Sequence, residues 1–148
     1  MTETATAHRA WNERWQTSDG RADWLVPDLD VLDTIPLLQK RSVRQVLDLG
    51  CGVGCHAIAL AKAGFETCGM DGSESGLDFV RQAVSGAVFA IQFAFGAMTD
   101  LPYDDASFDF VLAFNVIYYG DPEMVDRAIA ETRRVSNPKG LFQATMLS

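Results

Sequence analysis

From Gln45 onward, short apolar runs alternate with stretches whose apolar positions recur at helical spacing. Runs that are apolar on both faces suit strands buried in a parallel sheet, and the periodic stretches between them suit helices that cover it. Residues 45–49, 65–70, 88–95, 108–114 and 141–146 have strand length. Leu77, Val80 and Val84 mark one helix face, preceded by Ser73 and Ser75 as candidate N-caps. Val125, Ala128, Ile129 and Thr132 mark another, with Asp121 as its N-cap and Pro122 at the first helical position. Asn137-Pro138-Lys139-Gly140 is expected to end that helix in a turn before the fifth strand. The alternation predicts an α/β fold.

The N-terminal third is less periodic. Trp11 and Trp15 stand one helical turn apart, but Thr17-Ser18-Asp19-Gly20 breaks the pattern. A short helix, a loop and a second helix over about residues 27–39 are expected. Trp11, Trp15 and Trp24 either form a flap over a ligand or pack on the core. The expected division is an N-terminal helical or lid segment, 1–44, and a core, 45–148, within one structural domain.

At 148 residues and 48% hydrophobic content, the chain suits a single domain. Its apolar stretches, such as 57–61 and 108–116, fall well short of the ~20 residues of a membrane helix, so no span is expected. The first seven residues lack the basic-then-apolar pattern of an export signal, and a cytoplasmic location is expected. Cys51, Cys55 and Cys68 are too few, and odd in number, for a disulfide framework. Twenty acidic against twelve basic residues give a formal charge of −8, which repels a phosphate backbone and argues against nucleic acid as a partner. The one basic run, Lys40-Arg41-Ser42-Val43-Arg44, reads as solvated loop.

The chemistry concentrates where the first strand ends. Gly50, Gly52 and Gly54 lead from that strand into a helix, and glycine there lets the backbone turn sharply and approach a ligand closely. Free amides at the helix start would favour a negative group such as a carboxylate. About twenty residues on, Asp71 ends the next strand, where a carboxylate can accept hydrogen bonds from both hydroxyls of a ribose. Cys51, Cys55 and His56 have metal-ligand chemistry but no second ligand pair, so no metal is expected.

Asp48-Leu49-Gly50-Cys51-Gly52-Val53-Gly54 resembles the first motif of class I S-adenosylmethionine (SAM)-dependent methyltransferases. It differs from the nicotinamide fingerprint in its glycine spacing and in the acid two residues ahead. Gly96-Ala97-Met98-Thr99-Asp100-Leu101-Pro102-Tyr103, with Ser107-Phe108-Asp109, resembles the approach to the fourth strand in the ubiquinone-biosynthesis-like (type 11) branch. Arg133-Arg134-Val135 and Pro138-Lys139-Gly140 resemble that branch's helix and turn before the fifth strand. The resemblance implies a Rossmann-like three-layer sandwich with a mostly parallel sheet in the order 3-2-1-4-5, S-adenosyl-L-methionine as cofactor, and a small-molecule methyl acceptor.

Carried residue by residue, it places Gly50, Cys51, Gly52 and Gly54 along the methionine end of SAM, with Asp48 near its amino group. Asp71 would hold the ribose, Gly72 and Ser73 would border the adenine, and Asn115 and Val116 would face the donor from the fourth strand. Where the family reads Gly-Asp-Ala, this chain reads Gly96-Ala97-Met98. The carboxylate that would accept from the adenine amino group is absent, leaving the backbone around Ala97 and Met98 to pair with the ring and predicting weaker SAM binding.

No catalytic residue is assigned. Tyr118, Tyr119 and Asp121 lie in the loop after the fourth strand, where Asp121 reads better as a helix cap. The family's sheet has seven strands and this chain stops after the fifth, so its last strand is expected to present an open edge and to support a homodimer. A non-catalytic SAM-binding or assembly module and a nicotinamide-dependent oxidoreductase are the competing readings.

Overall fold

The computed structural model describes residues 3–146, with side chains from Ala7 onward. The terminal residues included in the expected segments 1–44 and 45–148 lie outside it.

The five runs form one sheet in the order β3-β2-β1-β4-β5, with every neighbouring pair parallel. The strands are β1 (Gln45–Leu49), β2 (Glu66–Asp71), β3 (Ile91–Phe95), β4 (Phe108–Ala113) and β5 (Ser136–Ala144). The helices are α1 (Glu3–Arg14), α2 (Ser18–Arg21), α3 (Leu29–Lys40), α4 (Cys55–Lys62), α5 (Glu74–Ala83) and α6 (Pro122–Val135). This is the expected Rossmann-like order. The direction of winding reverses between the paired strands β1 and β4, so the loops that leave them diverge and a crevice opens at their C-terminal ends, where such folds bind ligands.

Period-two alternation divides the core. Leu47 and Leu49 of β1 join Met70, Val111, Ala113 and, from α6, Ala128 and Val135 in one buried cluster. Val46 joins Phe110, Leu112, Leu60 of α4, and Val31 and Leu38 of α3 in the other. Burying each such aliphatic side chain contributes about 1.5–3 kcal/mol, so the two clusters fix both the layers and the strand register.

Local chemistry sets the helix starts. The Ser73 hydroxyl accepts from the Gly76 amide at 3.2 Å, and Asp121 Oδ1 accepts from the Met124 amide at 2.9 Å, so both caps stand where the sequence placed them. Several boundaries differ. Val88 is fully exposed and β3 starts at Ile91, because the preceding residues form no ladder with β2. The segment expected to break the N-terminal helical pattern does so by starting α2, with Thr17 Oγ1 accepting from the Gly20 amide at 3.0 Å.

The expected turn at residues 137–140 lies inside β5 as a bulge. Ser136 pairs with Phe108, and pairing resumes at Leu141 opposite Phe110. Pro138 lacks an amide for the ladder, while Asn137 Nδ2 donates to Asp109 Oδ1 at 2.7 Å and pins the displaced segment. At its other end β5 stops at Ala144, short of Met146.

Candidate functional site

The loop between β1 and α4 turns through left-handed backbone at Gly50 (φ 72°), Gly52 (φ 55°) and Gly54 (φ 85°). A Cβ on Gly50 would stand 2.2 Å from Val116 Cγ2, and one on Gly54 would stand 2.1 Å from Val80 Cγ2. The loop therefore needs glycine for its dihedrals and for its close approach to β4's following loop and to α5.

Its amides are occupied within the protein. Gly50 and Cys51 donate to the Met70 carbonyl at 2.7 and 2.9 Å, Gly52 donates to Asp71 Oδ2 at 2.8 Å, and Gly54 donates to the Cys51 carbonyl at 2.8 Å. These four amides lock the loop to the end of β2. They precede α4, whose first turn begins at Cys55, so they are distinct from the free amides expected at the helix start.

Asp71 is the hinge of this arrangement. Its Oδ1 accepts from the Ser73 amide at 2.7 Å and its Oδ2 from Gly52. Burial raises its pKa, while the Gly52 and Ser73 amides and His8 favour the anion. A carboxylate has about four acceptor positions. With Gly52 and Ser73 each taking one and the Gly72 amide also favouring the anion, the carboxylate retains acceptor capacity for hydroxyls.

A cleft at the C-terminal ends of the strands brings together Gly50, Cys51, Gly52, Asp71, Gly72, Met98, Asn115 and Val116 of the expected site. Asp48, Gly54, Ser73 and Ala97 do not line it. Asp48 alternates with Leu47 and Leu49, so its side chain goes to the opposite face of β1, beneath α4. It is 2% exposed and its Oδ2 has no hydrogen-bond partner. Desolvation, reinforced by the nearby Asp71, pushes its pKa up to about 8, and the Ala57 amide only partly offsets this. Gly54 and Ser73 act in the fold, the first against Val80 and the second as the buried cap of α5. The Ala97 carbonyl accepts from the Asp100 amide at 3.2 Å.

The fourth-strand side is held by a residue that no motif marks. Asn115 has left-handed backbone (φ 57°), and its amide donates to Thr145 Oγ1 at 2.6 Å. That hydroxyl in turn donates to Asn115 Oδ1 at 2.9 Å. Two bonds just beyond the ends of β4 and β5 thus set the residue before Val116, which packs on Gly50.

The outer wall is aromatic. Trp11 and Trp15 stack at 4.9 Å, Trp24 meets both edge-on, and Tyr119 meets Trp11 at 5.9 Å. Trp15 is buried, and a Cβ on Gly52 would lie 3.3 Å from its ring. It packs on the core, while all three tryptophans also line the cleft. His56 lines it too, but its Nε2 accepts from the Asp28 amide at 3.0 Å and burial lowers its pKa, so the ring is neutral and tied to the start of α3. Burial raises the Tyr118 pKa to about 12. Among the described residues, no three His, Cys, Asp or Glu side chains converge as a metal site, and Cys51, Cys55 and Cys68 are free thiols.

Residues 46–140 match the methyltransferase domain family. The chain belongs to this family. Its relatives include an uncharacterized methyltransferase of Mycobacterium tuberculosis, 32% identical over 80% of this chain and 40% of that protein. Another is the demethylmenaquinone methyltransferase of Bacillus subtilis, 34% identical over 72% of this chain and 47% of that protein. The chain thus spans less than half the length of these relatives. A solved SAM-dependent methyltransferase of Methanosarcina mazei superposes with a TM-score of 0.60 at 27% identity, covering 64% of this chain and 48% of that one. The magnesium protoporphyrin IX methyltransferase of Synechocystis, solved with bound SAM, shares the fold with a TM-score of 0.74 at 19% identity, covering 92% and 73%.

The cofactor of this methyltransferase family is S-adenosyl-L-methionine, and the residues present fit it. Backbone of the loop at Gly50, Cys51 and Gly52 lines the cleft, and the Asp71 carboxylate beside it retains acceptor capacity for ribose hydroxyls. No helix of the described residues is long and apolar enough to cross a membrane.

Proposed function

We propose that this chain binds SAM in the cleft and forms the donor-binding part of a methyltransferase acting on a small molecule. The observation that carries the reading is the Asp71 carboxylate, which is anchored by Gly52 and Ser73 and still has acceptor capacity in the cleft. When bound, SAM supplies a methyl group on a positively charged sulfur, open to direct attack by a nucleophile. The protein's part is alignment and exclusion of water. Asp71 would fix the ribose, the loop at Gly50, Cys51 and Gly52 would carry the methionine end, and Gly72 and Met98 would border the adenine. Trp11, Trp24 and Tyr119 would shield the reacting end.

No general base is assigned. Asp121 is spent on its cap, His56 accepts from a backbone amide, and Tyr118 holds its proton to about pH 12. The net charge of −8 favours a small acceptor over nucleic acid. The three free thiols favour a reducing, cytoplasmic setting. Within the N-terminal segment, α1 serves as the lid, since it supplies Ala7, His8 and Trp11 to the cleft.

Calorimetric titration with SAM and with its demethylated product S-adenosylhomocysteine tests the reading. Both are expected to bind with one-to-one stoichiometry. Asp71→Ala is expected to lose on the order of 100-fold in affinity, as two charge-assisted hydrogen bonds disappear. Absence of binding by the wild-type chain, or an unchanged affinity in the variant, would rule the reading out.

The outer edge of β5 has no partner strand among the described residues, and Phe142 and Met146 are 46% and 56% exposed beside it. We propose association of two copies through this edge. Sedimentation at micromolar concentration is expected to show a dimer that Phe142→Lys dissociates. A monomer throughout would refute it.

A further inference from the structure

α1 reaches the cleft by a polar clasp. Asn12 Oδ1 accepts from the Ser75 amide at 2.9 Å and from the Ser73 hydroxyl at 3.1 Å. The Ser75 hydroxyl donates to the Asn12 carbonyl at 2.5 Å. These bonds hold α1 against the start of α5, immediately after Asp71 and Gly72. One helical turn before Asn12, on the same face of α1, stands His8.

His8 therefore falls on Gly72. Its Cε1, Nδ1 and Nε2 lie 2.7, 2.8 and 2.8 Å from where a Cβ on Gly72 would stand. Three near-equal distances put the face of the imidazole, not its edge, over the residue. Gly72 has an ordinary negative φ, so its backbone does not require glycine. The imidazole does, because any side chain at this position would occupy its place. Both residues line the cleft, and His8 is close enough to Asp71 to favour its anion.

We propose that His8 is a cofactor-binding residue whose imidazole replaces the missing side chain of Gly72 and forms the wall on which the purine of SAM packs. This rests on the cofactor reading above. It also bears on the departure at Ala97. A chain without an acidic partner for the adenine amino group can hold the ring by its face, which requires no complementary edge.

The test uses S-adenosylhomocysteine, titrated calorimetrically into the whole chain, with the melting temperature of each ligand-free variant as a measure of folding. His8→Ala is expected to bind roughly tenfold more weakly, the lower range for removing one stacking partner of a base. His8→Phe restores a flat face and is expected to return affinity to within about threefold of wild type, in keeping with a sequence-tolerant stacking contact. Gly72→Ala displaces the imidazole without altering it and is expected to weaken binding as much as His8→Ala does. It provides the same comparison if His8→Ala fails to fold.

Wild-type affinity in His8→Ala or in Gly72→Ala would overturn the proposal, as would equal losses in His8→Ala and His8→Phe. These results leave the cofactor reading intact. Failure of the wild-type chain to bind the ligand overturns both.

Discussion

Gly54→Ala is expected to lower the free energy of unfolding by about 2–5 kcal/mol, from two separable penalties. The left-handed backbone at φ 85° costs an L-residue about 1–2 kcal/mol. The new methyl would also stand 2.1 Å from Val80 Cγ2 and 2.9 Å from Val80 Cβ, inside a fully buried contact between the glycine loop and α5. Overpacking of that kind adds about 1–3 kcal/mol.

Gly64 supplies the control. It has a similar dihedral, φ 98°, but nothing within 4 Å of an added Cβ. Gly64→Ala should therefore show the dihedral penalty alone, and the difference between the two variants in urea unfolding measures the clash. Combining Gly54→Ala with Val80→Ala should give less destabilisation than the two single changes summed, by about 1–3 kcal/mol, because each relieves what the other creates. Strict additivity would mean that Val80 is not what Gly54 makes room for. Equal losses at Gly54 and Gly64 would mean that the loop can move aside.

The parts of this molecule that depend on near neighbours were open to reading in advance. The caps at Ser73 and Asp121 each bond an amide three residues on, and the glycine spacing after β1 reflects dihedrals that only nearby backbone imposes. The strand order followed from a motif resemblance that brings its fold with it. The orientation of Asp48 was also legible. Two leucines flank it in a buried strand, and period two sends an acid between them to the other face, so placing it beside the ligand set motif analogy against strand geometry. Geometry won.

Other features depend on residues far apart in the chain. His8 meets Gly72 only because Asn12 bonds to residues 61 and 63 positions later, and Asn115 is set by Thr145 thirty positions on. Histidine, asparagine and threonine at such positions carry no periodic signal. The bulge in β5 was half legible: Pro138 and Gly140 announced a break in regular structure, but only the pairing of Ser136 with Phe108 shows that the strand has begun before it.

Asp48 carries the second large expectation, a pH dependence of stability. Its carboxyl releases a proton near pH 8 in the native state, against an ordinary value of 3.8. Below about pH 4 the group is neutral in both folded and unfolded chains and has no effect on their balance. Between about pH 4 and 8 the unfolded chain gives up the proton while the native state retains it. Stability contributed by the neutral form is therefore lost as pH rises, by a little over 1 kcal/mol per unit, until the native group also ionises.

Asp48→Asn keeps the shape and removes the proton. Relative to wild type, the variant should gain about 2–3 kcal/mol of unfolding free energy between pH 5 and pH 7. Asp71 is shifted in the same direction and contributes a slope in both proteins, so comparing the two curves isolates Asp48. Urea unfolding across this range gives the measurement. Parallel curves would show that Asp48 is ionised in the native state. Its Oδ2 would then require a compensating donor or cation beneath α4, because a lone buried carboxylate without one is too costly to keep. A gap that stops widening and stays constant above about pH 8, where the native carboxyl at last gives up its proton, would complete the assignment.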